Sequence, residues 1–179
     1  GGAGRPLSHV QLSVGGHGEI MINGGVMAGY LGEAPVNGAW ATGDLGVLDR
    51  EGFLRVSGRA KNLLITAYGR NVNPEWLESV FQTSDVLRSV VVFGDGEPAL
   101  SAVLVAMPGA CRSQVAAAVA TLNEGLPDYA RIANWVLAGQ PFSADNGLAT
   151  ANGRPRREAI FQTYQAALSR TGHNQLAYF

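Results

Sequence analysis

Cysteine is nearly absent. One residue, Cys111, cannot close an internal disulfide, so a reducing compartment such as the cytoplasm suits the chain. Cys111 stands between Ala110 and Arg112 with no base near it in sequence, and it reads as a packing or surface residue. A basic excess is also missing. Thirteen Lys and Arg against 14 Asp and Glu leave a formal net charge of -1, which argues against a nucleic-acid partner. No apolar run approaches the ~20 residues that a membrane-spanning helix needs. Stretches such as Ser89-Val90-Val91-Val92-Phe93 fall far short of it. There is no signal-peptide pattern, no internal repeat and no low-complexity tract. The chain begins Gly-Gly-Ala-Gly rather than with Met, and the natural protein is expected to extend upstream.

What is present is globular. The 179 residues are 46% hydrophobic and 15% charged, enough to bury a core as one domain or two small ones. Many of the 24 glycines fall before position 70. Residues 9–14, 19–23, 46–48 and 53–57 are short, rich in apolar residues and bounded by turn residues, so they read as strands. Asp49-Arg50-Glu51-Gly52 reads as the loop of a hairpin. Residues 1–60 therefore form an expected β-rich, barrel-like subdomain.

The pattern changes after Arg59. A short strand is expected at residues 63–66. Pro74 opens a helix over residues 75–81, with Glu75 and Glu78 near its N-terminus and Trp76, Leu77, Val80 and Phe81 on an apolar face. Residues 87–93 and 100–107 read as buried strands around a turn at 94–98. A helix is expected at 113–122, a strand at 134–137, a final helix at 157–169 and a fraying tail from Thr171. The fold class is α+β: the barrel-like subdomain, then a small α+β domain over residues 61–179. The boundary falls in the polar stretch Gly58-Arg59-Ala60-Lys61-Asn62.

Three constellations can carry chemistry. In Thr42-Gly43-Asp44 the carboxylate can cap local backbone in a turn, or accept hydrogen bonds from a diol. The glycine-containing loop Ala67-Tyr68-Gly69-Arg70 is a simple connection, or a place where backbone approaches a ligand closely. In Asn152-Gly153-Arg154 a turn carries a cation, which is either solvated or aimed at phosphate. Arg59 and Lys61 can be ordinary solvated charges.

In their order and spacing these elements resemble the adenylate-forming (AMP-binding) superfamily of the acyl-CoA synthetase type. The resemblance covers about residues 4 to 164. It rests on Gly18-Glu19-Ile20, Val26-Met27-Ala28-Gly29-Tyr30, Thr42-Gly43-Asp44, Gly58-Arg59-Ala60-Lys61, Leu126-Pro127-Asp128-Tyr129-Ala130-Arg131-Ile132 and the 147–157 stretch. The wording of residues 69–78 is nearest the long-chain acyl-CoA synthetase-like branch.

The resemblance implies a C-terminal portion. Residues 1–60 are the β-rich end of an N-terminal adenylation domain, and 61–179 a mobile C-terminal lid. It implies a ligase that spends ATP with magnesium to activate a carboxylate, a fatty acid in this branch, as acyl-adenylate. The acyl group then passes to a thiol of CoA or of a carrier protein's phosphopantetheine. Asp44 and Arg59 are the implied nucleotide-binding residues, and Lys61 the hinge. Tyr68, Gly69 and Arg70 form the thiol-side loop. Arg154 occupies the position of the family's catalytic lysine. No residue is assigned to a metal, and the phosphate loop is expected upstream, so the isolated chain is expected to be inactive. The arginine at 154 leaves an alternative: a noncatalytic binding or regulatory relative that has lost adenylation.

Overall fold

The computed structural model describes residues 3–16, 18–24, 29 and 38–175, with side chains described to residue 170. The chain divides into two compact units, Gly1–Leu63 and Leu64–Phe179.

In the first unit the glycine-punctuated segments form an antiparallel meander. Strands β1 (Gln11–Val14), β2 (Glu19–Asn23), β3 (Trp40–Leu48) and β4 (Leu54–Arg59) pair in chain order. Register shifts at Glu19/Met21 and at Leu45/Gly46 curl this sheet into a half-barrel. Ala3 and Gly4 exchange bonds with the far side of β4, each 2.8 Å long, through Leu54. Gly46 is buried at the second shift. A Cβ there would meet the Arg55 carbonyl oxygen at 2.6 Å and Ile20 Cδ1 at 2.9 Å, so only glycine lets β2, β3 and β4 close up. The hairpin at residues 49–52 is held by Asp49, whose Oδ1 accepts the Glu51 and Phe53 N–H groups at 3.0 and 2.9 Å.

Strand β3 begins at Trp40, six residues before the sequence-based start at 46. Thr42-Gly43-Asp44 is therefore strand, not turn. The Thr42 hydroxyl donates to the Ile20 carbonyl at 2.9 Å and ties this segment to β2. The boundary between units also lies later than expected, after Leu63. The 3-10 turn Ala60–Asn62 packs against β3 and so belongs to the first unit. The Val26–Tyr30 element, Gly29 apart, lies outside the described residues.

The second unit opens with a small hairpin, β5 (Leu64–Ile65) and β6 (Asn71–Val72). Helix α1 (Pro74–Phe81) follows at once. Asn73 caps it by accepting the Trp76 N–H at 3.1 Å, and Leu77 and Phe81 are fully buried. A three-stranded sheet makes the centre: β7 (Leu87–Phe93), β8 (Leu100–Ala106) and β9 (Ile132–Leu137), in that order. β7 and β8 are antiparallel. β9 runs parallel to β8, which requires a crossover, and helix α2 (Arg112–Glu124) supplies it.

Side-chain alternation then sorts the core into two layers. Val90, Val92, Ala102 and Leu104 face α1 and α2, with Leu77, Phe81, Val115 and Val119. Val91, Phe93 and Val103 face the last helix, α3 (Arg157–Gln175), through Ile160 and Leu168. Each fully buried valine or leucine contributes about 1.5–3 kcal/mol. Helix α3 runs past its sequence-based end at 169 to Gln175, and the last four residues lie outside the described ones. Among the described residues no helix is long and apolar enough to cross a membrane. Cys111 is exposed at the N-terminus of α2, where the Ser113 hydroxyl, 3.0 Å from Sγ, pulls the thiol below its ordinary range.

Candidate functional site

In the first unit the sequence-based candidates lie where β3 departs from regular pairing. Gly43 has φ +74°, a backbone region that strongly favours glycine. Its N–H donates to Glu19 Oε1 at 3.0 Å. Thr42 Oγ1 accepts the Asp44 N–H at 3.0 Å while its own proton goes to β2. These bonds fix the backbone at Gly43 and Asp44. Arg59 lies directly across the ladder, and its Nε meets Asp44 Oδ1 at 2.7 Å. Asp44 remains a third exposed, so its carboxylate can accept further hydrogen bonds from a ligand. Of the sequence-based candidates in this unit, Asp44 and Arg59 are thus brought together. Lys61 is exposed on the 3-10 turn that follows Arg59, and among the described residues no ion pair joins it to Asp44. The positioning roles of Thr42 and Glu19 were not read from the sequence; only their places in the Thr-Gly-Asp and Gly-Glu-Ile elements marked them.

In the second unit Tyr68, Gly69 and Arg70 form the tip of the β5–β6 hairpin. Thr66, a buried polar residue, organises that tip. Its hydroxyl accepts the Arg70 N–H at 3.2 Å, and its carbonyl accepts the Gly69 N–H at 2.8 Å. Gly69 has φ +71°, and a Cβ there would meet nothing within 4 Å. Its conformation, not crowding, calls for glycine. Tyr68 is 77% exposed. Arg70 lies over the Tyr129 ring with its guanidinium carbon 5.7 Å from the centroid. That contact joins the hairpin tip to the Leu126–Ile132 motif, whose Arg131 caps α2 by donating to the Asn123 and Leu126 carbonyls, both at 3.1 Å.

Arg154 sits on a second tight hairpin. The Thr150 N–H donates to the Arg154 carbonyl at 2.8 Å, and the Gly153 N–H donates to the Thr150 carbonyl at 2.9 Å. The Arg154 N–H reaches Thr150 Oγ1 at 3.1 Å. Gly153, at φ +79°, makes the reversal. The Arg154 side chain is exposed, and among the described residues its guanidinium has no hydrogen bond or ion pair. Arg157, three residues further on in Arg154-Pro155-Arg156-Arg157, behaves differently. It is partly buried and bonded to Glu78 and to the Val92 carbonyl. Burial pushes the Glu78 carboxyl above its ordinary range, against the pull of Arg157 and of the Val92 N–H.

A lid-sized α+β unit with a cation on a hairpin, preceded by a half-barrel carrying a paired aspartate, is the architecture of an adenylate-forming enzyme's C-terminal portion. Residues 61–173 match the AMP-binding enzyme C-terminal domain, and the chain belongs to that family. A long-chain-fatty-acid–CoA ligase of Mycobacterium tuberculosis is 36% identical over 117 residues, covering 62% of this chain and 20% of that protein. A 2-succinylbenzoate–CoA ligase of Listeria innocua is 33% identical over 113 residues, covering 59% of this chain and 24% of that one. The structure of O-succinylbenzoate coenzyme A synthetase from Bacillus subtilis, solved with AMP, aligns with TM-score 0.69 and 27% identity. That alignment covers 88% of this chain and 34% of the synthetase. The chain thus spans about a fifth to a third of the length of these relatives.

Proposed function

We propose that the chain is the C-terminal part of an AMP-forming acid–thiol ligase that acts in the cytoplasm. A carboxylate oxygen attacks the α-phosphorus of ATP and pyrophosphate leaves; a thiol sulfur then attacks the acyl carbon of the adenylate, giving up its proton, and AMP leaves as the thioester forms. The thiol belongs to CoA or to the phosphopantetheine of a carrier protein. The acid is a fatty acid, a choice supported by the 36% identity to the long-chain ligase. The 2-succinylbenzoate ligases among the relatives make other acids the competing class.

The observation that carries the reading is Arg154: an exposed guanidinium without a partner among the described residues, held on a closed hairpin. A cation so placed suits the phosphate and carboxylate oxygens of adenylation. Asp44 fits a ribose. Its backbone is held by Thr42, and its carboxylate is steadied on one oxygen by Arg59 and a third exposed, as an acceptor for two neighbouring hydroxyls must be. Arg59 neutralises that carboxylate beside the nucleotide. Lys61, just before the division after Leu63, serves as hinge, the α+β unit that follows moves as the lid, and Tyr68, Gly69 and Arg70 line the thiol's approach in the second half-reaction. ATP brings magnesium with it. Among the described residues no group of three or more His, Cys, Asp or Glu side chains gathers that could hold a metal ion by itself.

A second reading, a relative that binds without adenylating, is favoured by Arg154 itself. A planar guanidinium does not reproduce the compact ammonium of a lysine. Pyrophosphate release by the full-length protein, across carboxylic acids of graded chain length with ATP and magnesium, separates the two. Release that depends on a fatty acid, followed by thioester formation with CoA or a carrier protein, supports the ligase. No release with any acid supports the second reading.

A further inference from the structure

We infer that Glu78 and Arg157 are positioning residues for Arg154, through a closed ring of bonds that fixes the base of its hairpin. The inference rests on the reading of Arg154 given above. Glu78 Oε1, on α1, accepts the Val92 N–H at 2.8 Å and Arg157 Nη1 at 2.8 Å. The same Nη1 donates to the Val92 carbonyl at 2.6 Å. One residue of β7 is thereby gripped on both its backbone groups, by side chains from two different helices. The two side chains are 15% and 30% exposed, so solvent screens the ring weakly.

Arg157 is the first residue of α3 and stands three positions after Arg154. The other end of the hairpin is fixed independently. Leu148 and Ala149 are buried, the Ala149 N–H donates to the Ser143 carbonyl at 2.9 Å, and the Arg156 N–H donates to the Leu148 carbonyl at 2.8 Å. Residues 150–154 therefore form a short finger clamped at both ends. Ile160 and Leu168 already hold α3 on the sheet by apolar burial. Such packing tolerates small slides and rotations. The ring does not, because two donors and two acceptors must stay in register with one peptide unit. A buried ion pair adds little net stability over apolar side chains of similar volume. Its distinct effect here is to set where the finger points.

The test uses Arg157→Met and the double variant Glu78→Leu/Arg157→Met. The double variant replaces both partners with apolar groups and so avoids an isolated buried charge. Amide hydrogen exchange is followed in the full chain. The Thr150, Gly153, Arg154 and Arg156 amides should exchange about tenfold faster, while Val103 and Leu104 in β8 stay slow in the double variant. Finger amides as slow in the double variant as in wild type overturn the inference. So does an equal acceleration in β8. In the full-length protein the double variant should lower kcat for pyrophosphate release and leave thioester formation from preformed acyl-adenylate unchanged. Arg154→Ala tests the underlying reading separately. If it leaves pyrophosphate release intact, that reading fails. If it abolishes release while the double variant does not alter it, the positioning role fails alone.

Discussion

Substitution of Gly69 separates backbone conformation from space at the tip of the β5–β6 hairpin. Gly69 lies at φ +71°, and a Cβ would touch nothing within 4 Å. The cost of Ala is therefore conformational. Left-handed backbone costs an ordinary L-residue about 1–2 kcal/mol, and the lost freedom of the unfolded chain returns about 0.4–1 kcal/mol. Gly69→Ala should thus destabilise the second unit by about 1 kcal/mol. Gly69→Asn should cost roughly half as much, because asparagine visits this region more readily. Among the described residues all three helices lie in the second unit, so helical circular dichroism in a urea titration reports on it. With a slope of about 2 kcal/mol per molar, Ala moves the midpoint by roughly 0.5 M. A loss above about 3 kcal/mol, or equal losses for Ala and Asn, would show that crowding decides and refute the conformational argument. Catalysis should order the variants the other way. If a thiol arm passes this residue, the larger Asn slows thioester formation from preformed acyl-adenylate more than Ala does. Rates that follow stability instead would sink the assignment of Gly69 to the thiol path.

Three further outcomes are expected. Arg154→Lys in the full-length protein should raise pyrophosphate release if the guanidinium is an impaired substitute for lysine, by up to roughly 10²-fold, the scale of one preorganised electrostatic contact; a slower rate would show a site adapted to arginine. Asp44→Ala should raise the KM for ATP about ten- to a hundredfold, the loss of hydrogen bonds to a charged acceptor, and an unchanged KM would remove Asp44 from the nucleotide site. Glu78 gives a pH signature. Its native carboxyl binds a proton above the ordinary value of 4.5, so just above that pH the folded state holds more protons than the unfolded state. The Glu78 contribution to stability is therefore full at low pH and declines as pH rises through the native value. Urea midpoints of Glu78→Gln, measured from pH 4.5 upward, should lack that decline; parallel curves for variant and wild type would contradict it.

Most of the second unit was legible because its strands and helices obey simple periodicities. The alternation in residues 87–93 and 100–106 sends successive valines to opposite layers, and Pro74 marks the start of α1. Strand β3 was legible only in its last third. Thr42-Gly43-Asp44 carries turn residues, and the bond from Thr42 to Ile20 that makes it strand spans 22 positions. Local propensity holds no trace of a partner so distant. The Asp44–Arg59 pair was named as two nucleotide residues, while their contact follows from the β3–β4 register. Arg157 stands close to Arg154 and Arg156 in sequence, where nothing local marks it for burial. Its burial depends on Glu78, 79 positions earlier, and no spacing rule connects the two.

The grip on Val92 has a consequence for how the protein behaves among its own copies. β7 is the outermost strand of its sheet, and Val90-Val91-Val92-Phe93 is an apolar, β-branched run of the kind that recruits another extended chain. At Val92 a newcomer finds neither backbone group free, because the Glu78 carboxylate and Arg157 guanidinium already occupy both. The charged ring is a stopper on the sheet's margin as well as a brace for the hairpin. A substitution that opens it removes that stopper, so association should appear only as protein concentration rises, while at low concentration the fold and its thiol chemistry stay as they are.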